Sequence, residues 1–160
     1  MAEDSFWQRR IVAPILGQLK QGITPEKIAL TVALGSVVGV FPIIGATTAL
    51  CAVIAWRLKL NQPIIQLINY LMYPIHLLLL LPFYRAGETL FGQEHLPIFS
   101  ITDLAHRFEL DPLRFLADFG MVGVYGVVVW CLVAPPSAAL LYFALRGPIR
   151  AMSARQATQA

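Results

Sequence analysis

The sequence predicts an all-α, polytopic membrane protein, and two observations lead to this fold class. Apolar residues make up 58% of the 160 residues and charged residues only 13%, against about 25% charged in a typical soluble domain. Three long stretches also contain no Asp, Glu, Lys or Arg. A helix that crosses a bilayer needs about 20 predominantly apolar residues, so each stretch is long enough to enter the membrane. The stretches are residues 28–56, 60–84 and 119–145.

The same composition disfavours several other classes of protein. A chain this apolar fits neither a disordered segment nor a free nucleic-acid-binding domain, so we expect no nucleic acid partner. Cys51 and Cys131 lie inside apolar stretches, where a thiol packs as a small hydrophobe rather than as part of a disulfide scaffold. No catalytic triad, metal-ligand cluster or phosphate-binding glycine loop is recognisable. We therefore predict no enzymatic activity, no cofactor and no metal.

Residues 1–160 are predicted to form a single membrane domain that begins with an amphipathic segment. In residues 1–22 apolar side chains recur at steps of four, the spacing of one helix face. We expect either an interfacial helix on the cytoplasmic surface or a helix packed on the membrane domain. The charges of this segment argue against a cleaved signal peptide. The apolar face consists of Trp7, Ile11, Ile15 and Leu19.

Residues 24–58 are predicted to form a helical hairpin that is broken near Pro42. Thr24, followed by proline, is a typical helix start because its side chain caps free amides and proline tolerates the first position. One straight helix over the charge-free stretch would measure about 43 Å, longer than the bilayer core of about 30 Å. A break gives two short helices, 24–41 and 46–58, that enter and leave the membrane on one side.

Two pairs of residues in this hairpin carry further predictions. Gly35 and Gly39 lie four positions apart and have no side chains to hold a neighbouring helix away, so we expect close helix packing there. Lys27 and Arg57 flank the hairpin, and positive flanks tend to stay in the cytoplasm. The hairpin geometry keeps both on that side, whereas a single crossing would separate them.

Residues 60–84 are predicted to form a spanning helix that carries a lane of polar side chains. The members of this polar lane are spaced 4, 3, 4 and 3, which places them within an arc of about 80° and over roughly 21 Å. Lipid cannot satisfy such groups, so the lane faces protein or water. Two alternatives are open: hydrogen bonds between helices, or the lining of a polar pathway. The lane consists of Gln62, Gln66, Asn69, Tyr73 and His76.

The second half of the chain is predicted to contain a connector, a helix and a tail. Residues 85–110 are polar and rich in acidic groups, which predicts a connector outside the cytoplasm. Residues 112–146 are predicted to form a second broken helix, interrupted at Pro135 and Pro136. Residues 147–160 carry arginines and no acidic residue. We therefore expect a basic cytoplasmic tail, with both termini of the chain on the cytoplasmic side.

An inverted internal repeat is an alternative for this half of the chain. Residues 24–58 and 111–146 both begin at a capping residue followed by proline, pass glycines and reach a proline break. Inverted repeats with discontinuous helices are common in transporters. A strict inversion would place the basic tail outside, against the distribution of charge.

The helix start that follows Pro42 is the predicted ligand site. Free amides and the positive end of a helix dipole suit an anion such as a phosphate group. In this hypothesis Gly45, Thr47 and Thr48 bind the anionic group, and Arg57 attracts it at the cytoplasmic rim. The remaining candidate binding residues line its route and are Gln62, Gln66, Asn69 and His76.

Four ordered motifs lie between residues 24 and 61. They are Thr24-Pro25-Glu26-Lys27-Ile28-Ala29, Ala33-Leu34-Gly35, Gly39-Val40-Phe41-Pro42-Ile43-Ile44-Gly45 and Arg57-Leu58-Lys59-Leu60-Asn61. Together they resemble a bacterial membrane-protein family known as domain of unknown function twenty-sixty-two, over about residues 24–92. The resemblance implies a location in the bacterial inner membrane and a compact helical domain, sometimes joined to glycosyltransferases. It implies no particular activity.

Two classes of function fit these features. The first is a small membrane protein that handles or transports an anionic lipid or small solute through the polar lane. The second is an accessory or scaffolding membrane module for a partner enzyme or complex, whose glycines and amides only pack helices. Both place the chain in a lipid bilayer, and both allow a homodimer or a partner membrane protein.

Overall fold

The computed structural model describes residues 23–94, 106 and 109–157, and this part of the chain forms helices and no strand. The predicted all-α fold class is therefore confirmed for the described residues. The predicted amphipathic helix over residues 1–22 lies outside them, as does much of the predicted connector. In chain order the helices are α1 (Pro25–Gly39), α2 (Ala46–Leu58), α3 (Gln62–Leu71), α4 (Tyr73–Leu90) and α5 (Pro112–Ala157).

Helices α1 and α2 lie on either side of Pro42. Thr24 caps α1, because its Oγ1 accepts a hydrogen bond from the backbone N–H of Lys27 at 3.4 Å. The chain leaves the helical conformation after Gly39 and re-enters it after Gly45. The φ angle of Gly45 is +88°, in the left-handed region that glycine adopts without steric strain. Residues 40–45 thus form a turn that joins two short helices.

Helices α1, α2 and α3 pack around one apolar cluster. Gly35 and Gly39 of α1 lie against the α3 segment. A Cβ atom on Gly35 would lie 3.1 Å from Cβ of Ile68, and one on Gly39 would lie 3.0 Å from Cβ of Met72. Both contacts belong to the approach of α1 to the α3 segment. The buried cluster contains Val38, Cys51, Ala55, Leu60 and Ile65.

The predicted spanning helix over residues 60–84 is not one straight helix, which is a correction. α3 ends at Leu71, α4 begins at Tyr73, and the two axes are bent by 63°. Pro74 sits in the first turn of α4, where the missing N–H is tolerated and where a new helix is favoured over continuation of the old one. α4 also runs on to Leu90, so residues 85–90 belong to a helix and not to the connector.

The predicted break at Pro135 and Pro136 is also wrong, because α5 is continuous over 46 residues. At 1.5 Å per residue the helix is about 68 Å long. A proline removes one helical hydrogen bond and bends the helix locally, but it does not force the chain to reverse. Packing on both sides holds the helix to α1: Trp130 contacts the turn end of α1, and Ile149 packs against its start.

The continuous α5 removes the basis for an inverted repeat. The second proline site forms no hairpin, and α5 instead runs antiparallel to α1. Its C-terminal part meets the beginning of α1, where Nε of Arg150 lies 2.6 Å from Oε1 of Glu26. The start of α1 and the last third of α5 therefore lie at the same end of the molecule.

One described helix is long and apolar enough to cross a membrane by itself. The span lies within α5, over Phe119–Ala154, and only 6% of its most apolar window is buried inside the protein. The bent pair of α3 and α4 passes the same test only if the two helices count as one span. The described helices therefore allow one membrane crossing by length and composition, or two if the bent pair counts as one span.

Candidate functional site

Three members of the polar lane lie on α3 and bind α2. Nε2 of Gln62 donates to the carbonyl of Ala52 at 2.8 Å, and Nε2 of Gln66 donates to the carbonyl of Thr48 at 3.0 Å. Nδ2 of Asn69 donates to Oγ1 of Thr48 at 3.2 Å. The amides therefore act as hydrogen-bond donors between two packed helices, and the face they occupy is a helix interface.

The other two members of the polar lane are separated from α3 by the bend. Tyr73 is exposed, whereas His76 is 1% exposed. Their rings meet edge to face with centroids 6.2 Å apart. Neither ring nitrogen of His76 makes a hydrogen bond to a described residue. The lane is thus interrupted at Met72 and does not continue as one stripe.

The predicted anion site at the start of α2 is only partly assembled. Gly45 faces open space, with no atom within 4 Å of the place where a Cβ would lie. Thr47 is buried, and the hydroxyl of Thr48 already accepts a hydrogen bond from Asn69. Arg57 lies twelve residues after Gly45 in sequence, about 18 Å further along the axis. The structure brings Thr48 to the lane but keeps Arg57 at the opposite end of α2.

The turn around Pro42 is held by side chains that sequence reasoning did not single out. The hydroxyl of Tyr84 donates to the carbonyl of Pro42 at 2.9 Å. Nε1 of Trp130 donates to the carbonyl of Val37 at 3.1 Å, and its ring meets Phe41 edge to face at 5.0 Å. Because these donors come from α4 and α5, contacts distant in sequence satisfy carbonyls at the helix break.

A buried ion pair near the end of α4 was also missed. Nη1 of Arg85 lies 2.8 Å from Oε2 of Glu88, whose side chain is fully buried, while that of Arg85 is 24% exposed. The residues are three positions apart, a helical spacing that could have signalled the pair. The polar composition after Tyr84 instead predicted a connector, in which Arg85 and Glu88 would be exposed to solvent.

The end of the molecule where α1 begins and α5 ends carries several lysines and arginines, and we call it the cationic end. It contains a pocket of about 260 Å³. Lys27 comes from α1, and Lys59 lies in the short connection between α2 and α3. The N-cap residues of α1 and α3 also line the pocket, so two helix starts meet there. Sequence reasoning used Lys27 as a topology signal, but it did not place Lys27 and Lys59 in one cavity. The lining residues are Ile23, Thr24, Lys27, Lys59, Leu60 and Asn61.

The ion pair between Glu26 and Arg150 predicts a pH dependence of stability. The backbone amide of Glu26, and then Arg150, hold the pKa of the Glu26 carboxyl below its ordinary value. A group with a depressed folded-state pKa stabilises the protein above its unfolded pKa and loses that contribution as pH falls through the folded value. We expect Glu26→Gln to unfold at a lower temperature than wild type at about pH 7, and we expect this difference to be smaller at about pH 3. A difference that persists undiminished in acid would contradict this assignment.

Comparison with known proteins places the chain in a family. No curated protein and no solved structure matches it. A family described as "uncharacterized protein conserved in bacteria (DUF2062)" matches residues 9–158. This match confirms the resemblance drawn from the four motifs and extends it through α5. Because it covers nearly the whole chain, the protein belongs to this uncharacterized bacterial family.

Proposed function

We propose that the chain is an accessory or scaffolding module of the bacterial inner membrane. The observation that carries the proposal is the use of the lane amides. Gln62, Gln66 and Asn69 all donate to α2, so they fasten α3 to α2. Interhelical hydrogen bonds of this kind hold membrane helices together. The α2–α3 face then serves assembly of the module and is not a route for a solute.

The proposed membrane arrangement has several passes and cytoplasmic termini. α5 spans the bilayer, the α1–α2 hairpin and the bent α3–α4 pair enter it, and the cationic end faces the cytoplasm. Glu26 and Arg150 meet at that end, which supports a common side for the two ends of the membrane domain. Lys27 and Lys59 line one pocket at this end, and Arg57 lies two residues before Lys59 in the sequence. Positive charges at this end favour the cytoplasmic side.

The exposed surface of α5 supplies the partner face of the proposal. Met121, Leu132 and Phe143 recur at intervals of eleven residues, which places them within about 40° on the helix surface. All three are exposed. We call them the α5 stripe, and it extends over about 33 Å. Such a stripe suits a transmembrane helix of a partner protein or of a second copy of this chain. No catalytic or metal role enters the proposal.

The partner face can be tested by photocrosslinking in the native membrane. A photoreactive amino acid at Leu132 or Phe143 is expected to give discrete protein adducts. The same amino acid at Ala134, which is buried against the protein, is the control and is expected to give only internal crosslinks. Stripe positions that give lipid adducts alone would contradict a scaffolding role.

A variant without the lane amides distinguishes the scaffold hypothesis from the transport hypothesis. In the triple variant Gln62→Leu, Gln66→Leu and Asn69→Leu, each lost interhelical contact is expected to cost about 0.6–2 kcal/mol. We expect a lower unfolding temperature in detergent. We also expect labelled phosphatidylglycerol to cross the bilayer of vesicles that contain the wild-type protein no faster than that of vesicles without protein.

The control for this variant is Ser36→Ala. The Ser36 hydroxyl donates to a carbonyl of its own helix, at Val32, so its loss leaves the α2–α3 interface intact. Flux by wild type that disappears in a folded triple variant would establish transport through the lane and overturn the scaffold proposal.

A further inference from the structure

We propose that the pocket at the cationic end binds the phosphate group of an anionic phospholipid from the cytoplasmic leaflet. This inference goes beyond a scaffolding role, because it concerns the lipid and not a protein partner. The pocket is open and has a volume of about 260 Å³. Pockets for drug-sized ligands measure about 300–1,000 Å³, so this one suits a headgroup and leaves the acyl chains outside.

Two lysines from different segments make the pocket cationic. Lys27 projects from the first turn of α1, and Lys59 lies between α2 and α3. Neither ammonium group forms a salt bridge with a carboxylate in the part of the chain that the structure describes. Basic pockets between membrane helices on the cytoplasmic side are typical binding sites for anionic lipid headgroups. Two lysines facing one cavity therefore favour a ligand that carries a phosphate.

The surroundings of the pocket strengthen its positive potential. Arg146 and Arg150 lie at the same end of the molecule as the two lysines. Among the described residues at this end, Glu26 is the one carboxylate. It forms an ion pair with Arg150 and is also attracted electrostatically by Arg146. One negative charge among these four cations leaves a strong excess of positive charge. The starts of α1 and α3 add the positive ends of two helix dipoles.

The backbone at Lys59 has a defined conformation. Lys59 has φ +52°, a left-handed conformation that is rare for residues with a Cβ. Its N–H donates to the carbonyl of Trp56, and the N–H of Leu60 donates to the carbonyl of Ala55. The connection from α2 to α3 is thus a rigid hydrogen-bonded turn. Glycine adopts this φ more easily than lysine, so Lys59→Gly removes the charge without straining the turn.

The flanks of the pocket favour a lipid over free phosphate as the source of the anion. Trp56 is 72% exposed, and Leu58 is also exposed. The guanidinium of Arg57 lies 5.7 Å from the centroid of the Trp56 ring. Trp is enriched at the membrane interface, where an amphipathic ring sits at headgroup level. A phosphate held by Lys27 and Lys59 would therefore be beside side chains that contact the acyl region.

Native mass spectrometry of the full chain in detergent tests this proposal. Phosphatidylglycerol is added to wild type, to the double variant Lys27→Gln and Lys59→Gly, and to Arg57→Gln. Arg57→Gln removes one positive charge at the same end but outside the pocket lining. We expect one tightly bound lipid on wild type, about 10- to 30-fold weaker binding to the double variant, and less than about a twofold change for Arg57→Gln.

Two further arms identify the source of the phosphate. Phosphatidylcholine has the same phosphate but no net negative charge, and we expect it to bind more weakly than phosphatidylglycerol. Inorganic phosphate at equal concentration is expected not to displace phosphatidylglycerol. Full displacement by inorganic phosphate, or equal losses in the double variant and in Arg57→Gln, would overturn the proposal.

The outcome does not depend on the scaffold proposal. Lipid binding is measured on the isolated chain, whereas scaffolding is measured by crosslinks from the α5 stripe, so either can fail alone. Thermal unfolding of each variant verifies the fold. If the double variant does not fold, Lys27→Gln alone removes an exposed side chain and is expected to weaken binding about fivefold. An unchanged affinity in that folded variant would also overturn the proposal.

Discussion

Gly87→Ala is expected to force α4 and α5 apart and to destabilise the protein strongly. A Cβ atom on Gly87 would lie 2.6 Å from the backbone carbon of Tyr125 and 2.8 Å from its carbonyl oxygen. Backbone atoms cannot move aside as a flexible side chain can. Overpacking usually costs 1–3 kcal/mol, and here the clash is with the main chain, so we expect a loss of about 3 kcal/mol or more.

Gly123→Ala is the matched control for this substitution. Gly123 lies on α5, close to Tyr125 in sequence, and no atom lies within 4 Å of the place where its Cβ would be. Alanine in an open helical position stabilises a helix by up to about 1 kcal/mol relative to glycine. Thermal unfolding of both variants in the same detergent measures the difference. If Gly87→Ala unfolds at the wild-type temperature, the close contact between α4 and α5 is wrong.

Glu88→Gln is expected to destabilise the protein by about 3 kcal/mol. The side chain of Glu88 is fully buried, and its Oε2 lies 2.8 Å from Nη1 of Arg85. Breaking a buried ion pair by removing one charge leaves the other charge with less compensation in a medium of low polarity. Arg85 is partly exposed, so water offsets some of this loss, and the expected value is at the low end of the range for buried pairs.

The double variant Arg85→Leu and Glu88→Leu distinguishes charge from shape. Replacing both charged partners with apolar residues is often neutral or stabilising, so we expect the double variant to be more stable than Glu88→Gln. Glu94→Gln is the control, because Glu94 is an exposed carboxylate and its loss is expected to change stability by less than about 0.5 kcal/mol. Equal unfolding temperatures for Glu88→Gln and Glu94→Gln would show that the buried pair contributes nothing.

The bend at Met72 shows where sequence reasoning stops. The spacing of the polar lane correctly places Gln62, Gln66 and Asn69 on one helix face, because the 3.6-residue period is a local property. It does not specify what that face meets. The helix also ends before Tyr73, so the last two lane members follow a different axis. Pro74 indicated a disturbance at this point, but only the structure shows a 63° change of direction.

The predicted ligand site and the pocket in the structure consist of different residues. The sequence drew attention to a helix start at Gly45 and to the cation Arg57, which the structure keeps at opposite ends of α2. The cationic pocket joins Lys27 and Lys59, 32 positions apart in sequence. No periodic pattern relates such residues, because their proximity follows from the packing of α1 against α3. Cavities depend on packing, which composition alone does not reveal.

Local features of the sequence are sufficient to predict the helical class, the family and the separation of α1 from α2. These depend on local causes: apolar stretches, the cap at Thr24, and a proline and glycine turn that leaves few alternatives to the backbone. The continuity of α5 through Pro135 and Pro136 and the burial of Glu88 follow instead from the way the helices pack. A proline inside a helix costs about 3 kcal/mol or more, but α5 packs against α1 on both sides of Pro135 and Pro136, and these tertiary contacts offset the local cost.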